Sequence, residues 1–598
     1  MGAYAAGGFK TLKPAHTRFA PLERIIRREG IDGERTPAGF RVDNAASDSC
    51  NESSPFYAQA IPQSLVTDPG KVEDPRAGSK RHALLVAAGI LLSRIAGLVR
   101  ERVFAHYFGN SDAADAFKAA FRIPNFLQNM FGEGVLSASF IPVYASLLAR
   151  KDEEEARRTA GAVAAILALT TSLIVLLGVL TTPYLINAIA GGFSGEKREL
   201  TIRLVRILFP SAGLLVFSAW CLGVLNSHRR FFLSYSAPVV WNAAMIATMW
   251  GWGGRFAQFP LAQIVAWGSV AGSALQVVVQ LPAVLHLLQG LHLTLDYKAE
   301  NVKTVVRNFI PVFVGRGVVQ ISAYVDTLLA SWLPMGAVAG LSYAQILYLL
   351  PVSLFGMSVS ASELPHMSGA LGSEEEVAAM LRRRLNSGLG QIAMFVVPSV
   401  AAFLILGYVI VAAIYRTGQF QQADVIYVWG ILAGATVGLL ASTLGRLYSS
   451  TYYALRDTRT PLRFAIVRVV LTTILGVFCA FPLPHLLGIE ARWGAAGLTI
   501  SAGISSWVEF ALLRRTLNRR IGHTGVPLGS LVKLWGAAFV AAAAGLAIRH
   551  FLGRHSPILV AIVVLGPFGI IYFAAILALG LDEARGFLRS VTGRLANR

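Results

Sequence analysis

Long apolar stretches recur from His82 almost to the end of the chain, and they restrict the fold more than any other feature. A helix needs about 20 apolar residues to cross the roughly 30 Å hydrocarbon core of a bilayer. About fourteen stretches meet this requirement, so we predict an all-α polytopic membrane protein. The expected spans lie within 83–106, 113–148, 158–190, 200–226, 232–252, 260–288, 304–333, 336–366, 385–414, 425–451, 462–484, 494–513, 528–548 and 557–580.

The composition excludes a string of soluble domains. Only 14% of the residues are charged and 55% are hydrophobic, whereas soluble chains have about 25% charged residues. The mean hydropathy of +0.57 over the whole chain also excludes a single-span or peripheral protein. The three cysteines are far apart in sequence and have no metal-ligand spacing, so neither a disulfide framework nor a zinc site is expected.

The basic residues are concentrated in alternate loops between the spans. The net charge of +20 is spread in short clusters rather than along one face, which argues against nucleic-acid binding. One set of loops and the C-terminal tail carries about three times as many Lys and Arg residues as the other set. Basic loops stay in the cytoplasm, so we predict cytoplasmic termini and an even number of spans. Residues 1–81 are polar and are predicted to form a disordered cytoplasmic extension without a signal peptide.

Several ionisable residues lie inside the predicted spans. A charge at the centre of a bilayer costs at least about 2.5 to 3.5 kcal/mol, so such residues must face one another or a water-filled cavity. Arg94 and Arg100 lie about 120° apart on the first helix and can line one wide cavity. Arg102 and Lys118, nearer to span ends, are expected to extend to the lipid headgroups. The other charged residues inside spans include Glu101, Asp115, Glu133, Arg316, Asp326 and Arg468.

The sequence contains no familiar catalytic motif. HExxH, GxSxG and P-loop patterns are missing, and the histidines are dispersed. A polytopic protein with buried cations and many glycines is most simply a transporter, not an enzyme. Arginine binds phosphate groups in a bidentate manner, so a cavity lined by arginines predicts an anionic substrate.

Several motifs resemble those of one family. The stretch from Ser93 to Tyr144, SRIAGLVRERVFAHYFGNSDAADAFKAAFRIPNFLQNMFGEGVLSASFIPVY, is similar to the opening of the MurJ/MviN family of lipid II flippases. This family belongs to the multidrug/oligosaccharidyl-lipid/polysaccharide exporter superfamily. Further similarity lies in FPSAGLLVFSAWCLGVLNSHRRFFLSYSAPVVWN, VQISAYVDTLLASWL, IYRTGQF and YYALRDTRTPLR. The resemblance covers the chain from about residue 82 onward.

The resemblance implies a fold, a substrate and a location. It implies two pseudo-symmetric six-helix lobes and two extra C-terminal helices in the bacterial cytoplasmic (inner) membrane. On this basis 82–290 is the N-lobe, 291–484 holds helices 7–11 of the C-lobe and continues into helix 12, and 485–598 holds helix 12, the two extra helices and a tail. The implied substrate is lipid II, whose pyrophosphate and sugars would occupy a cationic cavity while its prenyl tail stays in lipid.

The family's site residues correspond to residues of this chain. The resemblance implies substrate contacts at Arg94 and Arg100, together with Glu101, Asp115 and Glu133. Arg316 and Arg468 lie at positions that the family commonly fills with uncharged residues, and we predict that they restore positive charge, with Arg316 facing the substrate. Two family arginines are missing, because the chain has Gln128 and Ile346 at those positions. Asp326 matches an acidic position that in some members is linked to a coupling cation. We predict that Arg468 forms an ion pair with Asp326 instead.

Alternative functions remain open at this level. The chain could export another undecaprenyl-pyrophosphate-linked glycan, or it could have lost transport and act as a membrane scaffold. A drug/cation antiporter is less consistent with the arginines, since its cavity would favour acidic residues. No cofactor is expected, and a coupling cation or the membrane potential would drive transport. The expected partners are a lipid-linked glycan and membrane lipids, with a monomer as the transport unit.

Overall fold

The computed structural model describes residues 75–290, 293–369, 372–553 and 555–596. Side chains are described in these ranges except for 75–87, 133, 314–323 and 590–596. Residues 1–74 lie outside the described part, and with them most of the predicted N-terminal extension. The first helix already begins at Pro75, so the predicted boundary at residue 81 is wrong, because 75–81 belong to this helix.

The described residues form helices and short connections, with no β-strand among them, so the predicted all-α class is confirmed. The α-helices are α1 Pro75–Phe108, α2 Asp112–Phe131, α3 Glu133–Ala149, α4 Glu153–Ile189, α5 Gly195–Ser227, α6 Phe231–Trp252, α7 Gln258–Leu287, α8 Glu300–Ser331, α9 Ala337–Pro351, α10 Ser358–Ser368, α11 Glu374–Ile405, α12 Gly407–Tyr415, α13 Gln422–Thr436, α14 Leu439–Ala454, α15 Arg459–Ala480, α16 Pro482–Leu487, α17 Gly494–Ile521, α18 Leu528–Phe551, α19 Pro557–Ala578 and α20 Asp582–Ala596.

Every predicted span overlaps a helix or a pair of consecutive helices. Among the described residues, eleven helices are long and apolar enough to cross a membrane, or twelve when the bent pair α13 and α14 forms one span. The other two predicted spans coincide with α1 and α8, which have 34 and 32 residues. The chain is therefore a multi-pass membrane protein, while the full count of fourteen stays a prediction.

One face of α4 shows how these helices meet lipid. Leu169, Leu173, Leu176 and Leu180 lie three or four residues apart, and each is between 55% and 65% exposed. Residues at this spacing share one face of a helix. Such a continuous apolar surface would be unstable in water, but it costs nothing against hydrocarbon.

Several predicted spans are interrupted rather than straight, and three of the breaks have a clear local cause. Gly132 adopts an extended conformation and separates α2 from α3. A π-helical turn, Val352–Met357, joins α9 to α10, and α13 meets α14 at an angle of 41°. Proline, glycine and π-turns are the usual causes of such breaks, and π-turns are frequent at functional sites.

Two central helices organise the packing. α5 packs against α2, α3, α4, α6 and α7, while α17 packs against α11, α13, α14 and α15. The two groups meet where α2, α3 and α4 contact α8 or α9, and where α1 contacts α12. The α1–α2 turn therefore lies beside elements from the C-terminal half of the chain. This junction positions the candidate site.

Candidate functional site

A cluster of charges joins α1 to α2. Glu101 accepts hydrogen bonds from Arg100 Nη2 at 2.7 Å and from Lys118 Nζ at 2.5 Å. All three side chains are at most 17% exposed. Lys118 Nζ lies 4.3 Å from the ring centroid of Phe104, and Arg100 lies 4.8 Å from that of Trp241. The predicted extension of Lys118 to the headgroups is therefore wrong, because Glu101 and the rings of Phe104 and Tyr343 surround it.

Arg94 lies on the same face of α1 as Glu101. The two residues are seven positions apart, which corresponds to about 700° and leaves them within about 20° of each other around the helix. Arg94 is exposed, and no other described residue accepts a hydrogen bond or forms an ion pair with it. Its guanidinium group is therefore available to a ligand, in contrast to that of Arg100.

Asp115, on the first turn of α2, joins both halves of the chain. Its carboxylate accepts hydrogen bonds from the backbone N–H groups of Gly336 at 2.8 Å and Ala339 at 2.7 Å, at the start of α9. Lys197 Nζ donates a third hydrogen bond at 2.6 Å. Asp115 is 1% exposed. The carboxylate therefore caps the N-terminus of α9, where unpaired N–H groups and the helix dipole favour an anion.

Arg102, on α1, makes the complementary contact with a helix C-terminus. Its Nη1 donates hydrogen bonds to the carbonyl oxygens of Ala413 at 2.5 Å and Ile414 at 2.9 Å, in the last turn of α12. Arginine at a helix C-terminus pairs with otherwise unsatisfied carbonyl groups. The predicted extension of Arg102 to the headgroups is thus wrong. The position of Arg102 near a span end does not predict this contact, because the partner helix is about 310 residues away in the sequence.

Further hydrogen bonds complete this junction. His106 Nδ1 lies 2.7 Å from Thr417 Oγ1, and the backbone N–H of Gln419 donates to the carbonyl of His106 at 2.8 Å. Tyr343 Oη donates to the carbonyl of Gly109 at 2.8 Å. We call this set of contacts, from Arg102, His106, Gly109 and Asp115 to α9 and the segment 413–419, the α1–α2 lock.

Two glycines allow the close approach in the α1–α2 lock. Gly336 has a φ of +88° and Gly418 a φ of +53°, both in the left-handed region that favours glycine. A Cβ atom at Gly336 would clash with Asn110, and one at Gly418 would clash with His106. Larger residues at either position would separate the two halves of the lock.

A cavity of about 330 Å³ lies between α2, α8, α9, α13, α14, α15 and α17. Its charged lining residues among those described are Arg122, Asp326, Arg446 and Arg468. The remaining lining is mostly small or hydroxylic, and it comprises Leu341, Ala344, Gln345, Tyr348, Leu349, Ala435, Gly438, Ser442, Thr472, Thr499, Ala502, Gly503 and Ser506. The described lining thus has three cations and one carboxylate.

The predicted ion pair between Asp326 and Arg468 is not formed. Arg468 Nε lies 3.4 Å from Glu509 Oε2, on α17. Asp326 and Arg468 both line the cavity, but no contact within 4.0 Å joins them. The prediction failed because it considered only α8 and α15, whereas the carboxylate that reaches Arg468 comes from the helix that packs most extensively on α15.

Arg122 lies on the opposite side of the cavity. Its Nη2 donates a hydrogen bond to Gln345 Oε1 at 3.1 Å, and its carbonyl accepts one from Tyr324 Oη at 3.0 Å. Gln345 precedes Ile346, the position where the family arginine is missing, and Ile346 is not a lining residue. Gln128, the other departure, borders a separate small space beside α5. The side chains of Glu133 and Arg316 lie outside the described residues, so their predicted roles stay predictions.

No group of three or more His, Cys, Asp and Glu side chains in the described part is arranged to hold a metal ion. The link between Asp326 and a coupling cation therefore stays a prediction.

Curated relatives align over most of the chain. One is 31% identical over 471 residues, which are 77% of this chain and 88% of the relative; it is named lipid II flippase MurJ, from Burkholderia cenocepacia. A probable lipid II flippase MurJ from Rhizobium meliloti is 29% identical over 75% of this chain and 82% of its own length.

Solved structures share the fold. A structure titled lipid II flippase MurJ, inward closed conformation, aligns with 83% of this chain and 99% of its own, with a TM-score of 0.67 and 23% identity. An inward-facing multidrug resistance transporter of the MATE family aligns with a TM-score of 0.56 and 16% identity, over 73% of this chain and 98% of its own. These similarities concern the fold alone.

A family model described as "Lipid II flippase MurJ" matches residues 104–566, which include the α1–α2 lock, apart from Arg102, and the whole lining of the cavity. Together with the relative that is 31% identical over most of its length, this match identifies the chain as a member of the MurJ family of lipid II flippases.

Proposed function

We propose that this protein flips lipid II, the lipid-linked peptidoglycan precursor, from the inner to the outer leaflet of the bacterial cytoplasmic membrane. The observation that carries the proposal is a cationic cavity beside a junction of hydrogen-bonded helix ends. A transporter that works by alternating access needs such a cavity and a closure that can be made and broken. Both elements are complete within one chain, which supports a monomer as the transport unit.

Arginines supply the positive charge that an anionic substrate requires, some in the lining of the cavity and others on α1, outside that lining. The pyrophosphate of the substrate is a double anion whose oxygens match the planar fork of a guanidinium group. Arg94 is exposed and has no hydrogen-bond or ion-pair partner in the described part of the chain, so it can bind the pyrophosphate as the substrate enters. Arg100 and Lys118 are held by Glu101, and they set the positive potential of the site without being free to follow the substrate. The prenyl tail would stay in the hydrocarbon, where it costs no desolvation.

The loop charges supply an orientation. The excess of Lys and Arg in alternate loops supports cytoplasmic termini, which puts the α1–α2 turn and the α1–α2 lock on the outer side. In this arrangement the lock closes the outer end of the cavity, and the substrate enters from the cytoplasmic side. The conformation is thus an inward-facing one.

Opening of the α1–α2 lock would release the substrate outward. The lock consists mainly of hydrogen bonds to exchangeable partners, such as backbone groups at helix ends, rather than of a large apolar contact. Hydrogen bonds that involve a charged group contribute about 1.5 to 3 kcal/mol each. Water can replace these partners when the halves separate, so the two states can be close in free energy. The binding energy of the substrate, together with a coupling cation or the membrane potential, then selects between them.

Complementation tests the proposed function. The chain would be expressed in a bacterium depleted of its own lipid II flippase, beside the Asp115→Asn variant at matched membrane abundance. We expect the parent chain to restore growth and cell shape and the variant to fail. If the parent chain is abundant in the membrane and growth still stops, the proposal is wrong. Arrested growth together with export of a different lipid-linked glycan would identify another substrate of the same chemistry.

A further inference from the structure

Arg446, on α14, is the charged residue of the cavity with the fewest compensating contacts. It lines the cavity, is exposed there, and makes no hydrogen bond or ion pair within 4.0 Å with the residues that the structure describes. Arg468 has Glu509 at 3.4 Å, and Arg122 has Gln345 at 3.1 Å. Glu509 is also in electrostatic range of Arg446, but it is shared with Arg468. The described cluster therefore has three arginines and two carboxylates, Asp326 and Glu509.

The contrast with the cluster at Glu101 shows what this excess means. There, Arg100 and Lys118 approach the carboxylate to 2.7 Å and 2.5 Å, and aromatic rings cover both cations. A cation in a low-dielectric cavity without a close anion is costly unless a ligand or water solvates it. Arg446 is such a cation without a close anion, although the helix around it is well packed, with Leu444 and Leu447 buried.

We propose that Arg446, with Arg468 beside it and Arg122 across the cavity, forms a diphosphate-binding subsite in the C-terminal half of the protein. The inference rests on the proposed function. It adds a second anion-binding site, formed by α14 and α15, to the arginines of α1. The volume of about 330 Å³ lies at the lower end of small-molecule sites, about 300 to 1,000 Å³. It accommodates a diphosphate group, while the sugars and peptide would extend into the open part of the cavity.

The arrangement suits a diphosphate better than a single carboxylate. The guanidinium groups come from α2, α14 and α15, on different sides of the cavity. A diphosphate presents oxygens in several directions and can contact more than one arginine at once, each through a bidentate pair. The subsite would supply, from other helices, the positive charge that the chain lacks at Gln128 and Ile346.

Binding of a soluble probe tests the subsite. Purified full-length protein in nanodiscs would be titrated with farnesyl diphosphate, with farnesol as the uncharged control. We expect Arg446→Gln to weaken diphosphate binding by about tenfold or more, the usual effect of removing a charged hydrogen-bond donor. Arg446→Lys should retain part of the affinity. The matched control is Arg383→Gln, which removes an equal charge from an exposed arginine on α11 outside the cavity and should leave the affinity unchanged.

Arg468 needs a different variant, because its loss alone would leave Glu509 without its partner. The double variant Arg468→Gln with Glu509→Gln removes both charges, and it should also weaken diphosphate binding by several fold. Farnesol binding should not change in any variant.

Three results would overturn the inference. The first is that Arg446→Gln binds farnesyl diphosphate within about twofold of the parent chain. The second is that Arg383→Gln loses as much affinity as Arg446→Gln, and the third is that the parent chain binds farnesol and the diphosphate equally. Complementation by the parent chain is scored separately. Growth with any of these three results would leave the proposed function standing and reject only the subsite, whereas absence of growth would reject the function itself.

Discussion

The α1–α2 lock and the cavity differ in how their charges are satisfied. In the lock, Asp115 accepts three hydrogen bonds and Arg102 donates two, so each charge is matched by helix ends or by a counter-ion. In the cavity, Arg446 has no close partner, and Asp326 has none within 4.0 Å among the described residues. Matched charges hold one conformation of the protein together. Unmatched charges in a wet cavity are available to a ligand.

This difference assigns different functions to residues that look alike in the sequence. Arg94, Arg100 and Arg102 lie within nine positions on α1. Arg94 has no ion-pair partner among the described residues, whereas Arg100 is paired with Glu101 and Arg102 caps α12. A substitution in the lock should change the balance between conformations. A substitution in the cavity should change substrate binding and leave that balance intact.

The largest effect is expected from Asp115→Asn. The amide of asparagine cannot accept hydrogen bonds from the N–H groups of Gly336 and Ala339 and also pair with Lys197, as the carboxylate does. Breaking a buried ion pair costs about 3 to 5 kcal/mol. Transport in proteoliposomes should fall by at least about tenfold. Asp112→Asn is the matched control, because Asp112 contacts the same Lys197 at 2.7 Å but is 43% exposed. Surface pairs contribute little, so this variant should transport normally. Equal losses in both variants would contradict the role of Asp115 in the lock.

Arg94→Gln should reduce transport by about tenfold without reducing the amount of folded protein. The side chain is exposed and makes no hydrogen bond or ion pair with the residues that the structure describes, so its removal costs little stability, while a charge-assisted bond to phosphate is lost. Arg94→Lys should recover only part of the activity, because it keeps the charge but not the bidentate geometry. Initial rates of flipping and membrane abundance would be measured together. Full activity of Arg94→Gln would mean that Arg94 does not contact the substrate.

Arg102→Ala should shift the conformational balance by several fold. Two hydrogen bonds to α12 are lost, but the contacts of Asp115 remain. The readout is the alkylation rate of a cysteine introduced at Thr417, which should rise in the variant as the α1–α2 lock opens more often. Arg416→Ala removes an exposed arginine within the same segment, whose side chain makes no hydrogen bond or ion pair with the described residues, and it should leave the rate unchanged. A rise in both variants, or in neither, would show that the bonds from Arg102 do not stabilise the lock.

The smallest effect is expected from deletion of residues 1–74, which are polar and contain no spanning segment. Insertion and transport should be unchanged. A deletion that continues to residue 81 removes the first turns of α1 and should reduce accumulation. Membrane abundance and complementation distinguish the two cases. Loss of transport after the shorter deletion would give this segment a function that its composition does not predict.

The sequence predicted the helices well because apolar length is a local property. Each expected span overlaps a helix of the structure. The breaks at Gly132 and Pro351 occur at a glycine and a proline, residue types that favour helix breaks. The beginning of α1 was not predicted, because residues 75–81 are polar. They are helical as an extension of the apolar helix that follows them.

The partners of individual charges could not be predicted in the same way. Lys118 pairs with Glu101 across two neighbouring helices, which helical spacing alone does not reveal. Arg468 pairs with Glu509 and not with Asp326, because the tertiary packing of α15 on α17 decides which carboxylate is near. Arg446 was not a candidate at all. Its role depends on the shape of the cavity, and one arginine in a span gives no signal of that shape.

The central claim is that the α1–α2 lock must open in every transport cycle. It is tested by the double variant His106→Cys with Thr417→Cys, in a chain whose Cys50 is replaced; Cys221 and Cys479 are buried. His106 Nδ1 lies 2.7 Å from Thr417 Oγ1, and the backbone of His106 is hydrogen-bonded to that of Gln419, so the two introduced cysteines are neighbours and are expected to cross-link on oxidation. Flipping of a fluorescent lipid II analogue should stop on oxidation and return on reduction, while each single cysteine variant transports under both conditions. If the oxidised and cross-linked protein flips the analogue as fast as the reduced protein does, the lock does not open during transport and the account is wrong.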